Sequence, residues 1–453
     1  MIGPARQAAL AALRAVNTGS VDLPTALSQH RDRLKDARDR ALTGEIVTGT
    51  LRWRAALDHV IAHISGRPLS DINPEIVDIL RLSLYQILYL TRVPASAVVD
   101  DAVNLAREVE RPSATGFVNA VLRSTLRQRN RLPLPTPPTT PTDHAAALAY
   151  LSITLSHPAW LVERWLARVG FDATERWLRF NNSTPSPTLR ANRLRGNRDE
   201  LAAALDRDDV ETRPCHWAPD GLVVTAGHAF ESDARTRFIV QDEASQLVPL
   251  VVAPQPHERV LDLCAAPGGK TTALAAAMGD TGQLIACDVR PRRMRLLRET
   301  VAGSGATHVS LVQIARDGAL PFTPTFDRVL VDAPCSGLGT IRRDPDIKWR
   351  RTATDLQEFA VTQHDLLSRA ARVVRPGGRL VYATCSSEPE ENEHVVARFL
   401  AGHPEFRRLD SRSEVDPALY PLFDADGCLH TVPATHELEA FFAAALVRGT
   451  SPS

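Results

Sequence analysis

Two cysteines carry the strongest chemical signal in the sequence. Cys335 lies in the run DAPCSG (332–337) and Cys385 in the run YATCS (382–386), and each follows a segment typical of a strand. Because ligands of open parallel sheets bind outside the carboxyl ends of the strands, both thiols are expected at one crevice. A thiolate is a strong nucleophile, so covalent catalysis is the chemistry that such a pair could perform. A single cysteine is often only a small buried apolar residue, but two in this position favour a catalytic site.

A glycine-containing loop, CAAPGGKT (264–271), follows the predicted strand 259–263 and precedes a helical run rich in alanine and leucine. Glycines at such a turn let the backbone approach a ligand, and the helix N-terminus offers free N–H groups. One interpretation is a phosphate-binding P-loop with 329–332 as its magnesium-binding strand, but Cys264 stands where that motif needs its first glycine. The other is a nucleoside-type cofactor site, which requires an acid at the end of the next strand to bind a ribose hydroxyl. Asp288 meets that requirement about 20 residues further on, so the second interpretation is favoured.

The elements around these motifs predict the fold class. After Gln241, short apolar strand patterns alternate with helical patterns, as in a doubly wound parallel sheet. The predicted strands are 259–263, 284–288, 310–313, 327–331 and 379–384. We therefore expect an α/β, Rossmann-like catalytic domain over residues 241–453.

Two further domains are predicted before that sheet. Residues 1–130 repeat apolar side chains at helical spacing and predict an all-α domain. Residues 131–144 hold five prolines and no apolar period, which predicts a semi-rigid linker and a domain boundary. Residues 145–240 mix helical patterns with short strand patterns and predict a small α+β module.

The composition excludes several classes of protein. The 453-residue chain has 53 basic and 53 acidic residues, which excludes a general basic surface that coats polyanions but allows a local basic track. It contains no apolar run long enough to span a membrane and no signal-peptide pattern, so we expect a cytoplasmic protein without membrane contact. The six cysteines include no Cys-x-x-Cys pair, which argues against a metal site and a disulfide framework and predicts reduced thiols.

Together the motifs resemble the RNA 5-methylcytosine methyltransferases of the Nop/Sun group. The matching segments are FIVQDEASQ (238–246), CAAPGGKT (264–271), Asp288 with Arg293, DAPCSGLG (332–339), RRDPDIKW (342–349) and ATCSSEPEENE (383–393). The resemblance covers about residues 150–448 and implies a Rossmann-like methyltransferase sheet with S-adenosylmethionine as the cofactor. The helical N-terminal domain is similar to the NusB-type RNA-binding fold. That combination resembles the bacterial enzymes that modify the small ribosomal subunit, so 16S ribosomal RNA is the implied substrate and partner.

The resemblance implies a role for each of four side chains. Carbon 5 of cytosine is a poor nucleophile, and a thiolate that adds to carbon 6 makes it enamine-like, so that it attacks the sulfonium methyl of S-adenosylmethionine. Cys385 is implied as this nucleophile, and Cys335 as the group that assists release once the carbon 5 proton is removed. Asp332 is implied as the general acid at N3 of the ring. Lys270 can lower a thiol pKa or pair with Asp332.

The implied cofactor site draws on the glycine-containing loop and on several charged side chains. Its residues are Cys264, Ala265, Ala266, Pro267, Gly268, Gly269 and Lys270 of the loop, with Asp288, Arg293, Asp317 and Asp332. Asp288 is expected to bind the ribose, Arg293 to lie in its vicinity and Asp317 to lie near the adenine. Arg316 precedes Asp317 where the family usually has glycine or alanine, so an ordinary loop aspartate is the alternative at that position.

Two basic segments are candidate RNA contacts, because RNA binding needs positive charge and stacking surfaces. Residues 190–198 carry four arginines, and residues 342–351 carry four arginines, a lysine and a tryptophan. A solvated charged face is the alternative for both, and the nearness of 342–351 to the catalytic motif favours RNA contact there. Close to the C-terminus, Ala440 stands where the family commonly has glycine, from which we expect a local change in the turn before the last strand.

The sequence is also compatible with three other functions. The same chemistry could act on transfer RNA, or the glycine-containing loop could belong to a P-loop ATPase. A non-catalytic RNA-binding assembly factor is a third class, against which Cys335 and Cys385 argue, because such a factor has no need for either thiol. We expect the protein to be a monomer.

Overall fold

The computed structural model describes residues 2–31, 33–109, 112–140 and 143–450, which form two compact units. One unit comprises residues up to 183 together with 341–352, and the other comprises 184–340 and 353 onward. No helix within the described ranges is long and apolar enough to cross a membrane.

The helices follow the predicted order along the chain. Those of the first unit are α1 (Pro4–Asn17), α2 (Leu23–Arg31), α3 (Ala37–Arg52), α4 (Arg54–Ser65), α5 (Pro74–Tyr89), α6 (Ala95–Glu108), α7 (Thr115–Gln128), α8 (His144–Ala149) and α9 (Ala159–Asn182). The later ones are α10 (Arg198–Asp206), α11 (Glu243–Val252), α12 (Gly269–Ala277), α13 (Pro291–Ser304), α14 (Ile347–Arg350), α15 (Ala353–Ala371), α16 (Glu393–Gly402) and α17 (Pro433–His436). Of these, α14 belongs to the first unit and the others to the second.

Helix α5 illustrates why the N-terminal sequence folds as it does. Asn73 caps it by accepting the N–H of Glu75 at 2.9 Å, and Pro74 occupies the first turn, where its missing N–H costs nothing. Ile79, Leu80 and neighbouring apolar side chains are wholly buried in a core shared by α1 to α7. The predicted all-α N-terminal region is confirmed.

The proline-rich segment packs on the helices that precede it. Leu132 and Leu134 pack against the helical core, and the Pro133 carbonyl bonds the His59 ring at 2.8 Å. The Pro135 carbonyl accepts the Thr154 hydroxyl at 2.6 Å. The two compact units divide after residue 183, so α8 and α9 belong to the same unit as the earlier helices. Pro141 and Thr142 of the predicted linker lie outside the described residues.

A small antiparallel sheet begins the second unit. Its strands are β1 (Thr188–Ala191), β2 (Glu211–Pro214), β3 (Gly221–Ala226) and β4 (Phe238–Val240), in the order β2-β3-β1-β4. Helix α10 packs against it and begins with a capping box formed by Asn197 and Glu200. The predicted α+β character is confirmed, and the sheet belongs to the same compact unit as the larger sheet that follows.

The larger sheet confirms the predicted doubly wound architecture. Its strands are β5 (Arg259–Asp262), β6 (Gln283–Asp288), β7 (Val309–Gln313), β8 (Phe326–Asp332), β9 (Val374–Thr384), β10 (Phe406–Leu409), β11 (Leu429–His430) and β12 (Phe442–Arg448). The order is β10-β12-β9-β8-β5-β6-β7, with β11 paired to β12. Strands β9, β8, β5, β6 and β7 pair in parallel. Strand β12 pairs antiparallel with β9, and β10 pairs antiparallel with β12.

The strand order creates a switch point between β5 and β8. The chain runs from β5 to β6 and β7 on one side and returns through β8 on the other, which opens a crevice outside the carboxyl ends. Central strands are buried on both faces, which explains their continuous apolar runs such as 329–331. Asp262, Asp288, Asp332 and Thr384 therefore end four parallel strands at one edge of the sheet.

Candidate active site

The loop after β5 depends on its glycine and its threonine. Gly268 has a φ of 111°, and a Cβ there would lie 3.1 Å from atoms of Leu297 and Thr300 in α13. The Thr271 hydroxyl donates to Asp262 Oδ2 at 2.7 Å, and burial raises the pKa of Asp262 to about 7. Because the Thr271 hydroxyl is committed to Asp262, the P-loop interpretation loses the magnesium ligand that its motif requires.

A cleft of about 470 Å³ lies beside this loop. Four predicted cofactor residues line it, namely Cys264, Asp288, Arg293 and Asp317. Apolar walls come from Leu263, Ile314, Phe359 and Leu366. A cavity of this size, with an apolar wall and several charged groups, is typical of a small-molecule site. The structure thus brings the four residues together at the switch point.

Asp288 is oriented by the backbone that follows it. Its Oδ1 accepts the N–H groups of Val289 at 2.8 Å and Arg290 at 3.2 Å, and Arg293 Nε lies 3.7 Å from its Oδ2. Arg293 also donates to the Ala266 carbonyl at 2.5 Å, which fastens α13 to the loop. A carboxylate has further lone pairs, so Asp288 can still accept hydroxyl groups of a ligand.

Other loop residues shape the site more than they contact a ligand. The Ala265 N–H donates to the Cys287 carbonyl at 2.8 Å, so it is already engaged. Burial raises the pKa of Cys264, which keeps this thiol neutral and makes it part of the wall. Ala266 is buried, whereas Pro267 is exposed.

Lys270 and Asp332 form a charged pair at the ends of β5 and β8. Lys270 Nζ lies 2.7 Å from Asp332 Oδ2, and the Lys270 ammonium lies 5.5 Å from the centre of the Phe441 ring. Burial lowers the pKa of Lys270, but the charge and hydrogen bond of Asp332, with the charge of Cys385, raise it overall. The lysine therefore stays cationic next to the predicted nucleophile.

The two cysteines lie against each other. Cys335 Sγ and Cys385 Sγ are 3.1 Å apart, within hydrogen-bond distance for two thiol groups. The hydrogen bond with Cys385, burial and the negative charge of Cys385 raise the pKa of Cys335 well above its ordinary value. The raised pKa keeps Cys335 in its thiol form, and either sulfur can donate in this contact.

A close backbone contact supports the two loops that carry Cys335, after β8, and Cys385, after β9, which are called the cysteine loops below. The Gly339 N–H donates to the Cys385 carbonyl at 3.0 Å, and the Gly339 carbonyl accepts the Ala440 N–H at 3.1 Å. A Cβ on Gly339 would lie 1.9 Å from the Ala440 carbonyl oxygen, so only glycine fits. Ala440 itself keeps a negative φ, and alanine meets no backbone strain there; the left-handed residue of this turn is Glu437.

The first basic segment is only partly available to RNA. Arg190 is buried and donates to the Gln241 side chain, the Gly269 carbonyl and the Thr272 hydroxyl, each at 2.7 Å. Its predicted RNA contact is therefore wrong, because its guanidinium is used to hold β1 against the start of α12. Arg193 keeps 54% of its side chain exposed.

The second basic segment, residues 342–351, is largely packed inside the helical unit. Residues 341–352 pack within the helical unit, where Lys348 is wholly buried and donates to the Arg52 carbonyl at 3.0 Å. Trp349 Nε1 donates to the Leu51 carbonyl at 2.6 Å. The predicted RNA contact of Lys348 is wrong, because its side chain is wholly buried, whereas Trp349 is only partly buried and its RNA contact stays a prediction. Sequence alone could not separate a buried lysine from one that binds phosphate.

The structure shows three buried polar residues near the site that the sequence did not predict. Glu391 and Gln363 are wholly buried beside the cysteine loops, and Gln241 is buried beside the glycine-containing loop. Glu391 and Gln241 lie inside motifs that the sequence singled out, but the motifs do not reveal which polar side chains point inward. Among the described residues, no group of three or more His, Cys, Asp or Glu side chains could hold a metal ion.

Family comparisons divide the chain in three. Residues 249–447 match the 16S rRNA methyltransferase RsmB/F family, residues 3–127 match the NusB family, and residues 157–231 match the ferredoxin-like domain of RsmF/B-like methyltransferases.

Individual relatives match over nearly the whole length. The chain is 34% identical to "Probable ribosomal RNA small subunit methyltransferase B" of Bacillus subtilis, over 89% of this chain and 90% of the relative. It is 35% identical to ribosomal RNA small subunit methyltransferase B of Pseudomonas putida, over 90% and 92% of the two chains. Among solved structures, the crystal structure of PH0851 matches with a TM-score of 0.78 and 30% identity, over 98% of this chain and 99% of that one.

Proposed function

The chain belongs to the family of ribosomal RNA small subunit methyltransferase B, and from this premise we propose that it methylates carbon 5 of a cytosine in 16S ribosomal RNA through a covalent adduct with Cys385. One observation carries the proposal: the thiols of Cys335 and Cys385 lie 3.1 Å apart at the ends of neighbouring strands. A single nucleophilic addition needs one thiol, and a second thiol at this distance supplies the group for release.

The cleft fits S-adenosylmethionine as the cofactor. Asp288 is suited to the ribose hydroxyls, and Asp317 and the apolar wall are suited to the adenine. Asp332 and the start of α12 are not among the residues that line the cleft, and we assign them to the amino-acid end. The cofactor supplies an electrophilic methyl group. The family's use of this cofactor and the lining of the cleft both support its assignment here.

Cys385 is the nucleophile of the proposed reaction. Its thiolate forms a bond to carbon 6 of cytosine, and the electron pair of the carbon 5–carbon 6 double bond makes carbon 5 nucleophilic. Lys270 keeps a positive charge near this thiolate, which favours the ionised form. Cys335 Sγ lies 3.1 Å from Cys385 Sγ, so the second thiol contacts the nucleophile directly.

Asp332 and Lys270 handle the proton at the ring nitrogen. Charge builds on N3 as the thiolate adds, and a proton or hydrogen bond there lowers the barrier. Asp332 is the proposed group that meets N3 of the ring, and Lys270 Nζ, which donates to Asp332 Oδ2 at 2.7 Å, holds its carboxyl group in place.

Cys335 completes the proposed cycle. After methylation the proton on carbon 5 must leave, its bonding electrons re-form the carbon 5–carbon 6 double bond, and the Cys385 thiolate departs. Cys335 accepts that proton after it has lost its own to solvent water. Since Cys335 must be in its thiolate form to act as this base, release should accelerate with rising pH, and the adduct should accumulate in acid.

The remaining parts of the proposal concern the RNA. The match to the NusB family over 3–127 supports RNA docking by the helical unit, and exposed arginines such as Arg193 can contact phosphates. We propose that the protein acts as a monomer in the cytoplasm, where ribosomal RNA is available.

In vitro methylation of unmodified 16S ribosomal RNA tests the proposal. Bisulfite sequencing after incubation with the purified protein and S-adenosylmethionine should find one cytosine protected. Cys385→Ala should protect none, whereas Cys428→Ala, which changes another buried free cysteine, should protect the same cytosine as the wild type. Normal protection by Cys385→Ala would overturn the mechanism, and protection of transfer RNA alone would overturn the substrate.

A further inference from the structure

Glu391 connects the two cysteine loops. Its Oε1 accepts the backbone N–H of Ser336 at 2.8 Å, and its Oε2 accepts the hydroxyls of Ser336 and Ser386 at 2.5 Å each. Ser336 directly follows Cys335, and Ser386 directly follows Cys385. One carboxylate therefore binds the residue next to each thiol.

The carboxylate is fully enclosed and fully used. Glu391 is 0% exposed, and Gln363 Nε2 donates to its Oε1 at 2.9 Å while also donating to the Pro334 carbonyl at 3.0 Å. The Tyr382 hydroxyl holds the Glu391 backbone carbonyl at 2.5 Å. Four donors on two oxygens match the lone pairs of a carboxylate. A buried carboxylate is tolerated only when it is satisfied in this way, so its neighbours fix its position closely.

The neighbouring strand end is fastened by the next residue. Asn392 accepts the Thr384 hydroxyl at 2.5 Å and donates to the Ser386 carbonyl at 3.0 Å. The Cys385 loop is thus bound by both Glu391 and Asn392. The Cys335 loop is connected to Glu391 in two ways, directly through Ser336 and indirectly through Gln363, which bonds both the Pro334 carbonyl and Glu391. Loss of the Glu391 carboxylate would release the link between the loops and leave each loop with its own remaining contacts.

Both thiols act on one cytosine in the proposed function, so their relative position matters. A displacement of about 1 Å at a reacting atom can cost about 10²-fold in rate. The hydrogen bond with Cys385, burial and the negative charges of Cys385 and Glu391 all raise the pKa of Cys335. Glu391 thus has two means of acting on the pair, through geometry and through charge.

We propose that Glu391 is a positioning residue for both cysteines: it sets their mutual geometry through Ser336 and Ser386 and places its negative charge near Cys335. The roles of the two cysteines rest on the proposed function. The geometry and the effect of the Glu391 charge on Cys335 do not, so they are measurable without RNA.

The first test measures thiol reactivity against pH. Iodoacetamide alkylation of Cys335, followed by peptide mass spectrometry, is compared between wild type, Glu391→Gln and Glu393→Gln. Glu393 is a matched control, because it lies two residues away with 39% of its side chain exposed and is paired with His430. The alkylation midpoint of Cys335 should move to lower pH in Glu391→Gln, which removes a negative charge, and should stay unchanged in Glu393→Gln.

The second test measures methyl transfer. Glu391→Gln should lower kcat by about 10²-fold and leave KM for the RNA within about twofold of wild type, because the lost contact acts on chemistry and not on binding. Glu391→Asp keeps the charge but shortens the side chain, so it should retain the wild-type alkylation profile and still lose kcat. A purely structural role would instead change both readouts together with thermal stability.

The Glu391→Gln variant decides the proposal through its kcat and its Cys335 alkylation profile. Wild-type kcat and a wild-type Cys335 profile in Glu391→Gln would overturn it. If that variant does not fold, Ser336→Ala and Ser386→Ala decide, since each removes one hydroxyl; each should lower kcat by about tenfold, and wild-type values in both would overturn the proposal. If the wild-type protein methylates no 16S ribosomal RNA, the proposed function fails, and the alkylation profiles alone judge the role of Glu391.

Discussion

Substitution of Lys270 by methionine should separate the electrostatic role of this residue from its packing role. Methionine has a similar length and no charge, so it leaves Asp332 without its partner at 2.7 Å and Cys385 without a nearby cation. The chain offers a matched control, because only Lys35, Lys270 and Lys348 are lysines and Lys35 is exposed. Lys35→Met should change neither stability nor activity.

The cost to stability follows from the burial of the pair. Lys270 is 11% exposed and Asp332 28% exposed, so water reaches the carboxylate in part. A hydrogen bond between charged groups contributes about 1.5–3 kcal/mol, and partial solvation favours the lower half, about 2 kcal/mol. For a unit of this size that is a decrease in Tm of about 4–8 °C. The pKa of folded Lys270 lies above 10.5, so this contribution is complete at neutral pH and is lost only as pH rises through the folded value.

The effect on activity should depend on pH in a specific direction. Without Lys270 the Cys385 thiolate is less favoured, and we expect kcat/KM to fall by about 10- to 100-fold at pH 7.5. The deficit should shrink towards pH 9.5, because thiols in general have a pKa of about 8.5 and need no neighbouring cation to ionise above it. Single-turnover transfer of labelled methyl groups to 16S ribosomal RNA, followed from pH 6.5 to 9.5, measures this. A deficit that is the same at every pH, or no deficit, would refute the assigned electrostatic role.

Two further substitutions test close packing beside the cysteines and the buried lysine of the helical unit. Gly339→Ala puts a Cβ 1.9 Å from the Ala440 carbonyl oxygen, so it should cost about 1–3 kcal/mol of unfolding free energy and reduce methyl transfer; unchanged thermal unfolding would contradict the close contact. Lys348→Met should alter the pH dependence of stability. Burial and the charge of Arg52 lower the pKa of Lys348 well below 10.5, so unfolding takes up a proton, and the wild type should gain stability relative to the variant as pH rises from 7 towards 10 in urea titrations. A difference that does not change with pH would argue against a neutral buried lysine.

The sequence predicted the fold well where its signals are local and repeated. Strands such as β5 and β8 carry unbroken apolar runs that only a doubly buried parallel strand explains, and their bounds matched within two residues. The proline-rich segment was harder to interpret. Proline content marks a stretch without helix or strand, but it does not reveal that Leu132 and Leu134 pack on the helical core.

The candidate site was predictable in part for a similar reason. Strand ends bring Asp288, Asp332, Cys335 and Cys385 to one edge of a parallel sheet, so topology alone groups them. Burial of single polar side chains depends on tertiary packing, which one sequence does not encode in a readable pattern. For that reason the sequence predicted RNA contacts for Arg190 and Lys348, which are buried. It predicted no role for Glu391, although Glu391 lies inside a motif that the sequence identifies.

The central claim is that Cys385 forms the covalent bond to cytosine and Cys335 releases it. Its most direct measurement uses Cys335→Ala with unmodified 16S ribosomal RNA and S-adenosylmethionine, followed by nuclease and protease digestion and mass spectrometry of any stable complex. The account predicts a methylated cytosine nucleotide attached to the peptide that contains Cys385, with release slowed by about 10²–10⁴-fold relative to wild type. Absence of a complex, or attachment at any residue other than Cys385, would contradict it.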